Sequence, residues 1–126
     1  MEALQLEGTA KTPTIKFSPG GKSLEISGRS IPENAASFYE PIYNWLDQYV
    51  KHPAAATEVI IKLEYFNTSS SKCLLDVFRK LETLQKSEKS TVKVLWVYDA
   101  DDEDMREAGD DYRTLVLLPF ELKEAS

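Results

Sequence analysis

Four hydroxyl side chains stand in a row at Thr68-Ser69-Ser70-Ser71, preceded by Asn67 and followed by Lys72. A hydroxyl can accept a phosphoryl group, and this run lies where the strand-like stretch Glu64-Tyr65-Phe66 stops and a helical apolar period begins. A phosphate added there would face the first free N–H groups of a helix and the positive end of its dipole, the natural anion site of the backbone. The plain alternative is capping. Asn, Ser and Thr are favoured N-cap residues, each contributing about 1 kcal/mol when its side chain accepts a bond from a free N–H. One residue suffices for a cap, so the run exceeds that need. A phosphoryl group carries about −1.5 to −2 charges and three strong acceptors. At a helix start it would leave the fold intact and change what the surface can dock.

The second chemical candidate is the acidic run Asp99-Ala100-Asp101-Asp102-Glu103-Asp104. Clustered carboxylates suit Ca²⁺ or Mg²⁺, which makes a small metal-binding or enzymatic domain built on Asp99, Asp101, Asp102 and Asp104 the alternative function. The spacing fails the EF-hand pattern, because Asp104 stands where that loop needs Gly and Asp110 where it needs Glu. Acidic residues in a first helical turn complement the dipole, so a solvated helix start is preferred, a contact surface for a basic partner comes second, and a metal third. Arg29 follows a strand-like run and is either a phosphate-steadying group for a neighbouring loop or an ordinary exposed arginine. The single cysteine, Cys73, opens an amphipathic run and reads as a reduced, partly buried thiol. The single histidine, His52, lies far from it beside Pro53. No P-loop, Gly-rich dinucleotide turn, G-x-S-x-G or HExxH occurs, so no catalytic residue and no cofactor is expected.

The elements that must position these groups follow from periodicity. Leu4-Gln5-Leu6 alternates as a short edge strand, while Thr14 to Phe17 and Ser23 to Ser27 alternate around the turn Ser18-Pro19-Gly20-Gly21-Lys22 and read as a β-hairpin. Ser30 and Glu33 form a candidate capping box with Pro32 in the first turn. The helix that follows carries Ala35, Phe38, Ile42, Trp45, Leu46 and Tyr49 on one face, with a kink or restart expected near Glu40 because of Pro41, and an end at His52-Pro53. Thr57 to Phe66 reads as a central strand with Val59, Ile61, Leu63 and Tyr65 on one face and Ile60 and Phe66 on the other. Leu74, Val77, Phe78, Leu81 and Leu84 form a helical stripe opposite a solvated side of Asp76, Arg79, Lys80, Glu82 and Lys86. Thr91 to Tyr98 is a second central strand. A short acidic helix over Asp102 to Ala108 should stop at Gly109, and Leu115 to Phe120 is a last strand or a docked tail.

This order predicts one α/β domain over residues 1–126, an N-terminal hairpin followed by strand/helix alternation with the helices packed on a mixed sheet. If the strands ending at Ser27, Phe66 and Tyr98 are parallel, with right-handed crossovers, their following loops share one sheet edge. Arg29, the Asn67 to Ser71 turn and the Asp99 to Asp104 run are then gathered at the carboxyl ends of strands, where α/β proteins place their sites.

Bulk composition narrows the partners. The 126 residues are 42% hydrophobic and 29% charged, with a net charge of −6, as in an ordinary globular domain. The negative balance argues against nucleic acid, whose binding needs clustered Lys and Arg. The start Met1 to Glu7 lacks a basic segment followed by a long apolar run, and no stretch reaches the length of a membrane span, so a cytoplasmic location without membrane insertion is expected.

Several strings resemble the SiaC family of bacterial regulatory phosphoproteins. They are Leu6-Glu7-Gly8-Thr9 with Thr12-Pro13, Ile26-Ser27-Gly28-Arg29-Ser30 with Pro32-Glu33-Asn34, Leu63 through Lys72, and Asp101-Asp102-Glu103-Asp104-Met105 with Ala108-Gly109. More remotely the layout is similar to the SpoIIAA-type anti-sigma factor antagonists of the STAS fold, with Asn67 where that pattern has Asp and Ser70 where it has Gly. The resemblance implies a STAS-like fold and a partner-switching protein. It implies phosphorylation by a dedicated kinase on the threonine matching Thr68, with Ser69 as the alternative acceptor, and removal of the phosphate by a PP2C-type phosphatase. It also implies that the unphosphorylated form binds and activates a GGDEF diguanylate cyclase, raising cyclic di-GMP and promoting biofilm formation. The docking surface expected from the turn and its edge comprises Arg29, Asn67, Thr68, Ser69, Ser70, Ser71, Lys72, Asp99, Asp101 and Asp102.

Overall fold

Strand-like and amphipathic runs alternate along the chain, and the computed structural model, which describes residues 1–20 and 23–125, turns each into an element. The order is β1 (Leu4–Leu6), β2 (Thr14–Phe17), β3 (Leu24–Ser30), α1 (Ala35–Tyr49), β4 (Ala56–Phe66), α2 (Thr68–Lys86), β5 (Thr91–Tyr98), α3 (Glu103–Leu115) and β6 (Phe120–Glu124). All six strands join one sheet in chain order. The β1–β2 and β2–β3 pairs are antiparallel, and β3, β4, β5 and β6 run parallel. Of the hairpin turn, Gly21 and Lys22 lie outside the described residues.

Successive parallel neighbours joined by right-handed crossovers place their helices on one face of a sheet, and the burial pattern follows that geometry. Along β4, Thr57, Val59, Ile61 and Leu63 are buried while Glu58 and Lys62 are exposed; along β5, Val92, Val94 and Trp96 are buried while Lys93 is exposed. The core lies between the helices and the inward face, where each fully buried large apolar side chain contributes about 1.5–3 kcal/mol. On α2 the stripe Leu74, Val77, Phe78, Leu81 and Leu84 is buried as its spacing predicts.

Several local expectations are corrected. The first helix is capped by Asn34, whose side chain accepts from the N–H of Ser37 at 3.1 Å, and not by Ser30. Pairing with β4 keeps Ser30 in strand, opposite Phe66. Pro41 neither breaks nor restarts α1: it is exposed, and the carbonyl it leaves unpaired belongs to the exposed Ser37, within reach of water. Tyr65 is not on the core face. The β3–β4 register slips between Gly28 and Arg29, so that Gly28 pairs with Leu63 and Arg29 with Tyr65, skipping Glu64. A bulge of this kind inverts the alternation beyond it: Tyr65 turns out to solvent at 53% exposure, while Phe66 packs edge-on to Trp96 at 6.0 Å between ring centroids. Gly28 sits at φ +100°, a backbone shape that an L side chain resists.

The last helix does not stop at Gly109 but runs to Leu115. Gly109 is buried against the sheet, and a Cβ there would come within 2.4 Å of Trp96 Cδ1, so its smallness serves close helix–sheet packing. The final strand consequently begins at Phe120, leaving Val116 and Leu118 as buried connectors. Glu82 is not solvated: at 6% exposure it binds Arg79 and accepts from the N–H of Leu117 at 2.6 Å. Burial alone would push its pKa up, but the Leu117 N–H and the Arg79 guanidinium hold the carboxyl below the ordinary range. Among the described residues, no helix is long and apolar enough to cross a membrane.

Candidate functional site

The hydroxyl run opens α2, and its members divide sharply in environment. Asn67 is the cap: its Oδ1 accepts from the N–H of Ser70 at 2.9 Å, and its own N–H donates to the carbonyl of Ser30 at 3.0 Å. Ser70 is fully buried. Its hydroxyl donates to the same Ser30 carbonyl at 2.9 Å and accepts from Ser30 Oγ at 2.8 Å. Because the Ser30 proton is used there, the Tyr39 hydroxyl donates to Ser30 Oγ at 2.7 Å. The result is a directed chain from Tyr39 through Ser30 to Ser70, and burial pushes the Tyr39 phenol up to about 12. Ser70 therefore has no surface to offer a partner, which removes it from the expected docking set.

Ser71 is half-buried and ties α2 to α3. The Tyr112 hydroxyl donates to the Ser71 carbonyl at 2.8 Å and lies 3.0 Å from Ser71 Oγ, which donates in return. Burial raises the Tyr112 pKa as well. Thr68 and Ser69 remain. Both are exposed, and among the described residues neither hydroxyl has a hydrogen-bond partner. Their backbone N–H groups belong to the unpaired first turn of α2. Lys72 is exposed one turn beyond Thr68.

Parallel pairing of β3, β4 and β5 brings the three loops to one edge. A cavity of about 480 Å³ near that edge is lined by Glu25, Lys62, Glu64, Asp99 and Asp102 among others, but by neither Arg29 nor any residue of the hydroxyl turn. Asp101 is exposed in the turn between Asp99 and Asp102. Arg29 is exposed beside Tyr65 in the sheet register and has no ion-pair partner among the described residues. Asp102 is the N-cap of α3, accepting from the N–H of Met105 at 3.0 Å, and Glu103 pairs with Arg106. Among the described residues no three His, Cys, Asp or Glu side chains gather as a metal requires. Asp102 as cap and Glu103 and Asp104 in the first turn open α3, while Asp99, Ala100 and Asp101 precede it.

The model of the SiaC family of regulatory phosphoproteins matches residues 6–125. This chain belongs to the SiaC family. Apo-SiaC from Pseudomonas aeruginosa superposes at a TM-score of 0.88 with 27% identity, over 98% of this chain and 99% of that one. SiaC of the same organism, in complex as the activator of the diguanylate cyclase SiaD, superposes at 0.89 with 27% identity over 97% and 99%. An uncharacterized protein of Pseudomonas aeruginosa strain UCBPP-PA14 is 28% identical over 123 residues, spanning 98% of this chain and 97% of its own length. Within the SiaC-type domain, Ser30, Tyr39 and Tyr112 support the turn without any local sequence signal. Ser30 and Tyr112 are held by residues forty and forty-one positions away, and Tyr39, bonded to Ser30, occupies an ordinary core position of α1.

Proposed function

We propose that this SiaC family member is a cytoplasmic partner-switching regulator, not an enzyme, whose unphosphorylated form binds and activates a GGDEF diguanylate cyclase. In this reading a dedicated kinase phosphorylates Thr68, a PP2C-type phosphatase reverses it, and the modification releases the cyclase. The observation that carries the reading is the division of the hydroxyl run. Ser70 and Ser71 are consumed by internal hydrogen bonds and Asn67 alone supplies the cap, so Thr68 and Ser69 stand in solvent with no structural task. The SiaC–SiaD complex of the Pseudomonas relative supports the choice of partner. A scaffold in which the hydroxyls only cap the helix is disfavoured by the same division, and a metal site by the capping role of Asp102.

Phosphosite mapping on protein isolated from its own cells, joined to calorimetry against each GGDEF cyclase of its own organism, tests the reading. A single phosphoryl group on Thr68 is expected. Unmodified protein and Thr68→Ala should bind one cyclase alike, while the phosphorylated form binds at least about tenfold more weakly, a difference of about 1.4 kcal/mol. Equal affinity of the phosphorylated and unphosphorylated forms sinks the switch, and a phosphate found only on Ser69 moves it by one residue.

A further inference from the structure

The first turn of α2 is fastened to the sheet at both of its ends. The Asn67 N–H and the Ser70 hydroxyl donate to one acceptor, the Ser30 carbonyl, at 3.0 and 2.9 Å, and Ser30 Oγ donates to Ser70 Oγ at 2.8 Å. Tyr39 holds Ser30 Oγ from α1, and Tyr112 holds the Ser71 carbonyl from α3. Thr68 and Ser69 lie between these anchors, so their directions follow from the one that Ser70 is made to take. Successive residues of an α-helix are turned by about 100°. With Ser70 bonded to β3, Thr68 points about 160° away from it, out along the crest of the helix, while Ser69 points about 100° to one side.

That side faces α1. Ser69 stands in the column of Cys73, Asp76 and Lys80, in which Asp76 Oδ2 accepts from the Tyr43 hydroxyl at 3.5 Å and Lys80 pairs with Asp47 at 2.6 Å. Thr68 shares the crest with Lys72 and Arg79, both exposed. Two hydroxyls one residue apart thus meet an approaching enzyme at different angles. We infer that Ser30, Ser70, Tyr39 and Tyr112 are positioning residues for phosphorylation, and that by fixing the rotation of α2 they make Thr68, and not Ser69, the acceptor. The inference rests on the kinase reading above. In the transfer, Thr68 Oγ1 bonds to the γ-phosphorus of ATP, the bond to the bridging oxygen breaks with its electron pair leaving on ADP, and the hydroxyl proton passes to a base of the kinase. Attacking and leaving oxygens must stand roughly in line, and a misplacement of about 1 Å can cost about a hundredfold in rate.

The test incubates the full chain with ATP and a cleared extract of its own cells and counts early phosphate on each residue by mass spectrometry. The ratio of Thr68 to Ser69 phosphate compares two acceptors in one molecule, so the amount of protein cancels. Wild type should favour Thr68 by at least about tenfold, and Ser70→Ala should shrink that ratio at least about threefold. Tyr39→Phe should move it the same way by less, and decides the matter if Ser70→Ala fails to fold by circular dichroism. Glu82→Gln loosens the far end of α2 without touching the turn and should keep the wild-type ratio. An unchanged ratio in the folded turn variants, or an equal shift in Glu82→Gln, overturns the positioning role and leaves the proposed function standing. Phosphate on Ser69 alone in wild type overturns the inference, and phosphate on neither residue overturns the kinase reading as well.

Discussion

At the scale of single residues, neighbours of identical type in the hydroxyl run have different roles because of what lies across from them. Removing the Ser70 hydroxyl leaves Ser30 Oγ without its acceptor and the Ser30 carbonyl without one of its donors, so Ser70→Ala should lower unfolding free energy by about 1–2 kcal/mol. Thr68→Ala removes a solvated group and should stay within about 0.5 kcal/mol of wild type. Urea denaturation of both variants checks the contrast, and an equal loss at the two positions would contradict the division of the run. The chain of residues shows that this turn starts a helix and holds acceptors in excess of capping. It cannot show which are spent, because the partners of Ser70 and Ser71 lie forty and forty-one positions away.

At the scale of elements, the instructive case is α3. Replacing Gly by Ala inside a helix is ordinarily stabilising by about 1 kcal/mol. At Gly109 the added Cβ would meet Trp96 Cδ1 at 2.4 Å, Trp96 Nε1 at 2.6 Å and Leu122 at 2.8 Å, and the Trp96 ring is fully buried, its Nε1 donating to the Met105 carbonyl. Gly109→Ala should therefore destabilise by about 1–3 kcal/mol, a reversal of sign that thermal or chemical unfolding will read directly. A glycine at the end of an acidic, helix-forming run looks like a stop signal until the sheet beneath it is in place. The same holds for β4, where the alternation of Val59, Ile61, Leu63 and Tyr65 is followed to Leu63 and then inverted by a bulge against β3. No property of Tyr65 itself announces that. The bulge puts Tyr65 in solvent just before the hydroxyl turn and Phe66 against Trp96.

At the scale of the whole molecule, stability should narrow from both ends of the pH range. The Glu82 pKa is depressed in the folded state, so its contribution is present above the unfolded carboxylate range, about pH 4.3, and is lost as pH falls through the folded value. Glu82→Gln should cost about 1–3 kcal/mol near neutrality and flatten the acid limb of a stability–pH profile. Tyr39, Tyr43 and Tyr112 have raised pKa values, chiefly from burial. Their stabilisation is complete below the ordinary phenol value of 10.0 and, for Tyr39, is lost as pH rises toward about 12. Tyr39→Phe should reduce that alkaline loss, measured by the same profile, at the cost of the Ser30 bond. The sequence by itself determined the alternation of strands and helices from Thr14 to Tyr98 and marked the hydroxyl turn as the place to look, while the shared loop edge followed only on condition of parallel strands and the last segment stayed open between strand and tail. That alternation is written in local periodicity, because burial on one face of a sheet or helix repeats every two or 3.6 residues. The tertiary structure alone decided which hydroxyls remain free, where the strand alternation inverts and why Gly109 is needed. Those depend on contacts between segments far apart in the chain, which no local pattern encodes.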